Sequence, residues 1–211
     1  FDHCGNPSAV SNTAGGVLNY HLGDVHNGKT NCQGDNQVDL ADISFLGAHY
    51  GITLVPKDPF NCLDIGPTSD NSHLGRPLTD NKINFEDLVI MALTFHATQG
   101  LLPSQQIESA ATINRLQLVV PSMPKVGETF SAALDMTGVG DIHALSVMLD
   151  YDRSVVEPIA VSRGELLNRQ GNESVVLSSE PGNVDMALLG EEISGLRGSG
   201  EVARVTFRVK A

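Results

Sequence analysis

Two short acidic segments hold the residues of this chain that are best suited to chemistry. Residues 35–43 read DNQVDLADI, and residues 80–88 read DNKINFEDL. Aspartate occupies the first and eighth positions of both segments, asparagine occupies the second, and the other positions match in kind. Carboxylate and amide oxygens at this spacing suit a hard cation, and Ca²⁺ takes about six to eight such oxygens from flexible loops. The repeat therefore predicts two related calcium-binding turns.

A loop of the EF-hand type gives each acidic residue a place. Such a loop supplies ligands from positions 1, 3, 5, 7, 9 and 12, with a backbone carbonyl at position 7 and a carboxylate from the following helix at position 12. With Asp35 and Asp80 at position 5, Val38 and Ile83 fall at position 8, where an apolar residue anchors the loop. The predicted ligands are then Asp24, Asp35, Gln37, Asp39 and Asp42 in the first loop, and Asp64, Asp80, Lys82, Asn84 and Asp87 in the second.

Both predicted loops are longer than the standard one. Asp24 precedes Asp35 by eleven residues and Asp64 precedes Asp80 by sixteen, whereas positions 1 and 5 of an EF-hand are four apart. Loop insertions cost little entropy, roughly 0.6 kcal/mol per doubling of length, so a site can survive them. The insertions leave position 3 open among several residues: His26, Asn27 or Asn31 in the first loop, and the Gly66 carbonyl or Asp70 in the second.

The first loop also contains a nucleotide-binding pattern. Residues 23–30 read GDVHNGKT, which satisfies G-x-x-x-x-G-K-[ST] letter for letter. A phosphate loop needs an apolar strand before it and a helix that opens at its Lys-Thr. Here the turn-forming residues NCQGDN follow, and Asp24 would place a carboxylate among the phosphates. We therefore interpret the segment as the start of the first calcium loop.

Helical patterns follow both acidic turns, and a different periodicity begins later in the chain. From Asn114 onward apolar residues alternate or run together in seven short segments, separated by turn-forming residues such as TGVG, EPGN and SGLRGSG. About seven such strands indicate an antiparallel β-sandwich. The helical stripes are Ile43, Leu46 and Tyr50 after the first turn, and Phe85, Leu88, Val89 and Ala92 after the second.

The paired acidic turns resemble a type I dockerin. The matching stretches are GDV…DNQVDLADISFLGAHYG and LDIGPTSD…TDNKINFEDLVIMALTF, with Asp rather than Glu at position 12. The resemblance covers about residues 22–97. It implies a calcium-dependent docking module with two metal sites, and its implied partner is a cohesin, which is a β-sandwich.

The second half of the chain resembles that partner. YDRSVVEPIAVSRGELL is similar to a cohesin stretch with a Tyr-Asp turn, a Val-Val-Glu strand and a Gly-x-Leu-Leu end. GLRGSGEVARVTFRVK is similar to the closing turn and last strand of the same fold. The match spans about residues 114–211, which is short for a cohesin.

Three cysteines occur, at positions 4, 32 and 62, and none lies in a C-x-x-C pattern. An odd number in a secreted chain allows one disulfide with a leftover thiol, an intermolecular bond, or three unpaired thiols. In the dockerin-like arrangement the two loops lie side by side, which implies a Cys32–Cys62 bridge.

The composition narrows the class of function. A formal net charge of −12 makes nucleic acids and anionic membranes unfavourable partners, and no apolar run is long enough for a membrane span. The start at Phe1 suggests a processed, exported chain. No G-x-S-x-G or H-E-x-x-H motif appears, and tryptophan is absent, so we expect neither an enzyme nor an aromatic sugar-binding platform.

The expected fold is therefore α+β and multidomain: a paired EF-hand-like calcium loop-helix module plus an antiparallel β-sandwich. We divide the chain into an N-terminal segment 1–22 containing a possible added strand (VLNYHL), the dockerin-like module 23–97, a linker 98–113 and the sandwich 114–211. Two halves that can bind each other predict an extracellular, bacterial cell-surface protein that self-associates head to tail into a homopolymeric filament. The equally plausible alternatives are that the two halves pack against each other within one chain, or that the chain is a monomeric adaptor or cell-surface scaffold module that docks other proteins. A carbohydrate-binding or hydrolase accessory module is the weakest alternative.

Overall fold

The structure is a computed structural model, and it describes residues 21–95, 113–121, 124–170, 173–190 and 194–211. Two units follow each other along the chain, a loop-helix unit (residues 21–95) and a strand-rich unit (residues 113–211). The helices are α1 (Leu40–Ala48), a single 3₁₀ turn (Asn61–Leu63), α2 (Phe85–Thr94) and α3 (Glu165–Arg169). The strands are β1 (Arg115–Val119), β2 (Thr129–Val139), β3 (Ala144–Met148), β4 (Val156–Arg163), β5 (Ser174–Leu177), β6 (Asn183–Leu188) and β7 (Arg197–Val209).

The two long helices of the loop-helix unit begin at the repeated acidic segments. Asp39 precedes α1 and accepts a hydrogen bond from the Ala41 amide, while the Asp42 carboxylate accepts one from the Asp39 amide. Asn84 and Asp87 make the same reciprocal pair at the start of α2. This capping box satisfies amide groups that the first helical turn leaves unpaired. The repeated sequence thus fixes where both helices start.

A single apolar cluster holds the loop-helix unit together. Val38 and Ile83, the predicted loop anchors, are both fully buried in it. α2 is buried over a wider arc than the predicted stripe, because Ile90 and Met91 are also buried. That wider arc is explained by a second surface against which α2 packs.

The strand-rich unit is an antiparallel sandwich of two sheets. The larger sheet has the order β1-β2-β7-β4, and the smaller has the order β3-β6-β5. The long strands β2 and β7 pair along their whole length, from Thr129 opposite Arg208 to Val139 opposite Arg197. Leu134, Met186 and Val205 belong to the core between the sheets.

All seven predicted strand segments are strands in the structure, so the antiparallel sandwich is confirmed. The short helix α3 was not predicted; its residues ELLNR bury Leu166 and Leu167 against β7. The predicted linker and the possible N-terminal strand lie outside the described residues, apart from residues 21, 22 and 113. Among the described residues, no helix is both long and apolar enough to cross a membrane.

Candidate functional site

The first acidic loop closes around two buried carboxylates. The Asp24 carboxylate accepts hydrogen bonds from the amides of Asp35 (2.8 Å) and Asn36 (2.8 Å). One oxygen of Asp42 accepts the amides of Val25 (2.7 Å) and His26 (2.8 Å). The two aspartates therefore bring the beginning of the loop, its acidic turn and the start of α1 together.

The second loop repeats this arrangement at the matching residues. Asp64 accepts hydrogen bonds from the amides of Asp80 (3.3 Å) and Asn81 (2.9 Å). One oxygen of Asp87 accepts the amides of Ile65 (2.7 Å) and Gly66 (2.8 Å). The two loops thus share one geometry despite insertions of different length.

Burial raises the pKa of three of these four aspartates. Removal from water raises the pKa of Asp42, and the nearby Asp24 carboxylate raises it further, against the lowering effect of three backbone amides. Removal from water raises the pKa of Asp87 to about 7, with Asp64 acting in the same direction. Burial also raises the pKa of Asp64. Each loop therefore places two acids close enough for their charges to repel.

The other predicted ligands lie at the surface of the same loops. Asp35, Gln37, Asp80 and Lys82 are exposed, and the Asp35 and Asp80 carboxylates accept the amides of Gln37 and Lys82. Three of the five candidates for position 3 accept hydrogen bonds within local turns. A His26 ring nitrogen accepts the Gly28 amide, Asn27 accepts the Lys29 and Thr30 amides, and Asp70 accepts the Ser72 amide. Asp39 and Asn84 cap the helices.

The carboxylate and carbonyl oxygens of each loop are the kind of ligand that a hard cation such as Ca²⁺ prefers. Helix capping explains the position of Asp42 without any cation, but it does not explain why Asp24 is buried beside it. Each Asp24 oxygen accepts a single amide, which leaves it further acceptor capacity. The described His, Cys, Asp and Glu side chains do not gather in groups of three that could hold a metal. Carbonyls, amides or water would therefore have to complete a calcium shell.

A disulfide links the two loops, as predicted. Cys32 and Cys62 are bonded with their Cα atoms 5.6 Å apart, so an insertion of the first loop is joined to the residues just before Asp64. The bridge closes a segment with a sequence separation of 30 and restricts the unfolded chain accordingly.

The loop-helix unit is seated on the outer face of the small sheet. Alternate residues of its three strands point away from the sandwich core and join the apolar cluster of the loop-helix unit; these are Ala144 of β3, Val175 and Leu177 of β5, and Ala187 of β6. At the end of β6 the Gly190 amide donates to the Ala92 carbonyl of α2 (2.9 Å). Gly51 lies so close to the Ser179 backbone that an added Cβ would collide with its carbonyl. The two units therefore share one continuous apolar contact within a single chain.

A buried carboxylate lies at the centre of this contact. Asp185 is fully buried in β6 and accepts hydrogen bonds from the hydroxyls of Tyr50 (3.0 Å), Ser146 (2.6 Å) and Ser179 (3.2 Å) and from the Asn183 amide (2.8 Å). Burial and the Asp185 charge raise the pKa of Tyr50. Sequence reasoning did not single out Asp185. The available indication was one acid inside the otherwise apolar strand VDMALLG, which is costly to bury unless it is fully hydrogen-bonded.

The fold and the docked unit define a class of protein, an antiparallel sandwich with its outer face covered by a second module. The Cohesin domain family model matches residues 116–211, a little under half of the chain. This half is a cohesin-like β-sandwich. A comparison with curated protein sequences gives no match.

Solved cohesin structures are similar to about half of this chain or a little less. A type II cohesin domain from the cellulosome of Acetivibrio cellulolyticus is 19% identical, with 46% of this chain and 68% of that chain covered and a TM-score of 0.36. A cohesin from Bacteroides cellulosolvens is 13% identical, with 46% and 69% covered and a TM-score of 0.35. A type I cohesin–dockerin complex from Clostridium thermocellum is 19% identical, with 50% and 71% covered and a TM-score of 0.35. The cohesin assignment rests on the family model, since similarity at this level transfers no function.

Proposed function

We propose that this chain is a secreted, non-catalytic, calcium-stabilised assembly protein that associates head to tail into an extracellular filament. The contact between copies is the one seen within the chain, with the loop-helix unit acting as dockerin and the sandwich as cohesin. The observation that carries the proposal is the seating of the loop-helix unit on the small sheet through Asp185 and Tyr50. Cohesins that form complexes with dockerins offer the matching precedent.

The contact can pass from one copy to the next because its two sides belong to separate units. The loop-helix unit presents α2 and the segment around Tyr50, and the sandwich presents the outer face of the small sheet. These two surfaces are different, so a contact between copies is heterologous. Heterologous contacts that do not close into a ring produce open filaments.

Calcium has a structural role in this proposal. Asp24 and Asp42 would hold one ion and Asp64 and Asp87 the other, with the carbonyls of Gln37 and Lys82 and the polar groups of Asp35, Asp39, Asp80 and Asn84 as further ligands. A bound ion would supply the positive charge that two buried carboxylates lack. A ligand that binds only the folded state stabilises it by about 2.7 kcal/mol at a hundredfold excess over its Kd.

Negative-stain electron microscopy of the purified chain tests the proposal directly. We expect fibres in millimolar calcium and their loss in a matched EDTA-treated sample. Light scattering after size exclusion measures the mass of the soluble fraction in both conditions. Single globular particles at every concentration, with and without calcium, would contradict filament formation.

Two glycine variants show whether the observed contact is the one used between copies. Gly51→Ala places a methyl group against the Ser179 carbonyl, and Gly28→Ala introduces an alanine at a similar positive φ with no atom within 4 Å. Both carry the backbone strain of an L-residue in the left-handed region. We expect Gly51→Ala to abolish fibres and Gly28→Ala to leave them.

The alternative is a closed, monomeric adaptor. It is favoured by the fact that one chain satisfies the whole contact by itself, including the buried Asp185. In that case the chain stays monomeric in calcium, and Gly51→Ala would expose the small sheet to a separate dockerin-bearing protein. Pull-down of a purified dockerin by Gly51→Ala but not by the unmodified chain would select this function.

A further inference from the structure

One side of the sandwich is open. β1 is the outermost strand of the large sheet, and among the described residues its single neighbour is β2, so no described strand pairs with the backbone groups of its other edge. All five residues of β1 are exposed. An edge of this kind accepts an additional strand through backbone hydrogen bonds.

The inward face of β1 is apolar and uncovered. Leu116 pairs with Met136 and Leu118 pairs with Leu134, and residues paired across an antiparallel ladder point to the same side. The partners are buried in the core at 3% and 2% exposure, yet Leu116 and Leu118 are 41% and 45% exposed. The small sheet has three strands and the large sheet has four, and β1 is the outermost strand of the larger sheet.

The open side lies between β1 and β3. The strands β4 and β5 contact each other and close the opposite side of the sandwich. β3 is consequently the free edge of the small sheet on the side of β1, and its core-facing residues Leu145 and Val147 are only partly buried. An additional strand at this side would cover Leu116 and Leu118 and complete the core.

We infer that residues 17–20 add a strand at the open side of the sandwich, which is lined by Leu116, Leu118 and β3. The strand comes from the chain whose loop-helix unit covers that same sandwich. This segment reads VLNY, in which Leu18 and Tyr20 fall on one side of an extended strand. Those two side chains supply the apolar surface that faces Leu116 and Leu118. In the filament proposed above the strand comes from the neighbouring copy, and only that part of the inference rests on the proposed function.

The segment is joined to the loop-helix unit, which covers the small sheet. Leu22 is buried in the cluster that also contacts Ala144, the first residue of β3. Residues 17–20 directly precede His21 and Leu22, and an extended chain advances about 3.3 Å per residue. The segment is therefore tethered directly to the unit that covers the small sheet.

Amide hydrogen exchange of residues 115–119 in the full chain tests the inference. The segment variant is Leu18→Lys with Tyr20→Lys, and its matched control is Asn6→Lys with Ser8→Lys, which adds the same charge to the same part of the chain. We expect β1 amides to exchange at least tenfold faster in the segment variant and unchanged in the control. Equal exchange in all three chains would overturn the inference.

A synthetic peptide of residues 9–20 provides the complementary experiment. Added in excess to the segment variant, the peptide should restore the slow exchange of the β1 amides. Leu118→Lys in the same chain should prevent this restoration. Val126→Lys, which changes another exposed apolar residue, should not prevent it. Failure of the peptide to bind, or binding that Leu118→Lys leaves intact, would overturn the inference. Protection of β1 that depends on concentration but not on residues 17–20 would also overturn it, because two β1 edges would then pair directly.

Electron microscopy of the same variants separates this inference from the proposed function. Fibres without any protection of the β1 amides would support the filament and contradict the added strand. Protection of the β1 amides in a chain that stays monomeric would support the added strand and contradict the filament.

Discussion

The hydroxyl of Tyr50 donates a 3.0 Å hydrogen bond to a carboxylate oxygen of Asp185, a residue 135 positions later in the chain. Tyr50 follows α1 in the loop-helix unit, and Asp185 lies in the middle strand of the small sheet. This bond joins the two halves of the molecule at a point where Asp185 is fully buried and Tyr50 is partly buried.

Loss of the Tyr50 hydroxyl should destabilise the contact between the units. Hydrogen bonds to charged groups contribute about 1.5–3 kcal/mol, and Tyr50→Phe removes one of the four that Asp185 receives. Urea unfolding should therefore give a lower free energy of unfolding for Tyr50→Phe than for the unmodified chain. Tyr151→Phe is the control, because the Tyr151 hydroxyl donates to the neutral Pro181 carbonyl at 3.2 Å on the surface. Equal losses of stability in the two variants would contradict a special role for the hydrogen bond between Tyr50 and Asp185.

Removal of one helix carboxylate should remove one calcium ion. Asp87→Asn keeps the size of the side chain but removes the charge of one of the two buried carboxylates of the second loop, and Asp42→Asn does the same in the first. Isothermal titration should give a stoichiometry near two for the unmodified chain and near one for each variant. Glu86→Gln removes the same charge from the exposed neighbouring residue and should retain both sites. Two sites in Asp87→Asn would refute the assigned ligands.

Gly34 should be required by the first loop. A Cβ at this position would collide with all three carboxylate atoms of Asp24, so Gly34→Ala must displace the proposed first ligand. We expect the calcium affinity of one site to fall at least tenfold while the other is unchanged. Gly28→Ala lies in the same loop, has open space around it and should leave both affinities within a factor of a few. Unchanged binding by Gly34→Ala would show that Asp24 is not a ligand.

The disulfide should stabilise the loop-helix unit in particular. Closing a segment of this length is worth about 3–4 kcal/mol in the chain-entropy account, so Cys32→Ser with Cys62→Ser should lower the melting temperature of that unit by several degrees. Differential scanning calorimetry resolves the two units if their transitions separate. Cys4→Ser is the control for the removal of a thiol and should melt like the unmodified chain. A double variant with an unchanged transition would contradict this stabilising role.

Chelation should act on the same unit. Without an ion the acids of each loop repel each other, so EDTA is expected to lower the melting temperature of the loop-helix transition and leave that of the sandwich in place. An identical calorimetric trace for the chain in calcium and for the chain dialysed exhaustively against EDTA would argue against calcium in both loops.

Local sequence determined much of this molecule. Alternating apolar residues specify all seven strands because each strand must bury one side. The repeated D-x-x-D and N-x-x-D segments specify both helix starts because reciprocal capping needs only residues three apart. The Cys32–Cys62 pairing followed from the resemblance to paired loops, and the predicted boundaries of the units and the calcium ligands stay predictions.

Only the tertiary structure decided how the halves meet. The burial of Asp185, its bond to Tyr50 and the close approach of Gly51 to Ser179 join residues far apart in sequence, and no local periodicity encodes such contacts. The exposure of Leu116 and Leu118 is likewise a tertiary property, since their alternation predicts a buried side, whereas in the fold β1 is the outermost strand of its sheet and both residues are exposed. Short-range patterns fix elements because they depend on neighbouring residues, whereas the surface that an element covers depends on the whole arrangement of sheets and helices.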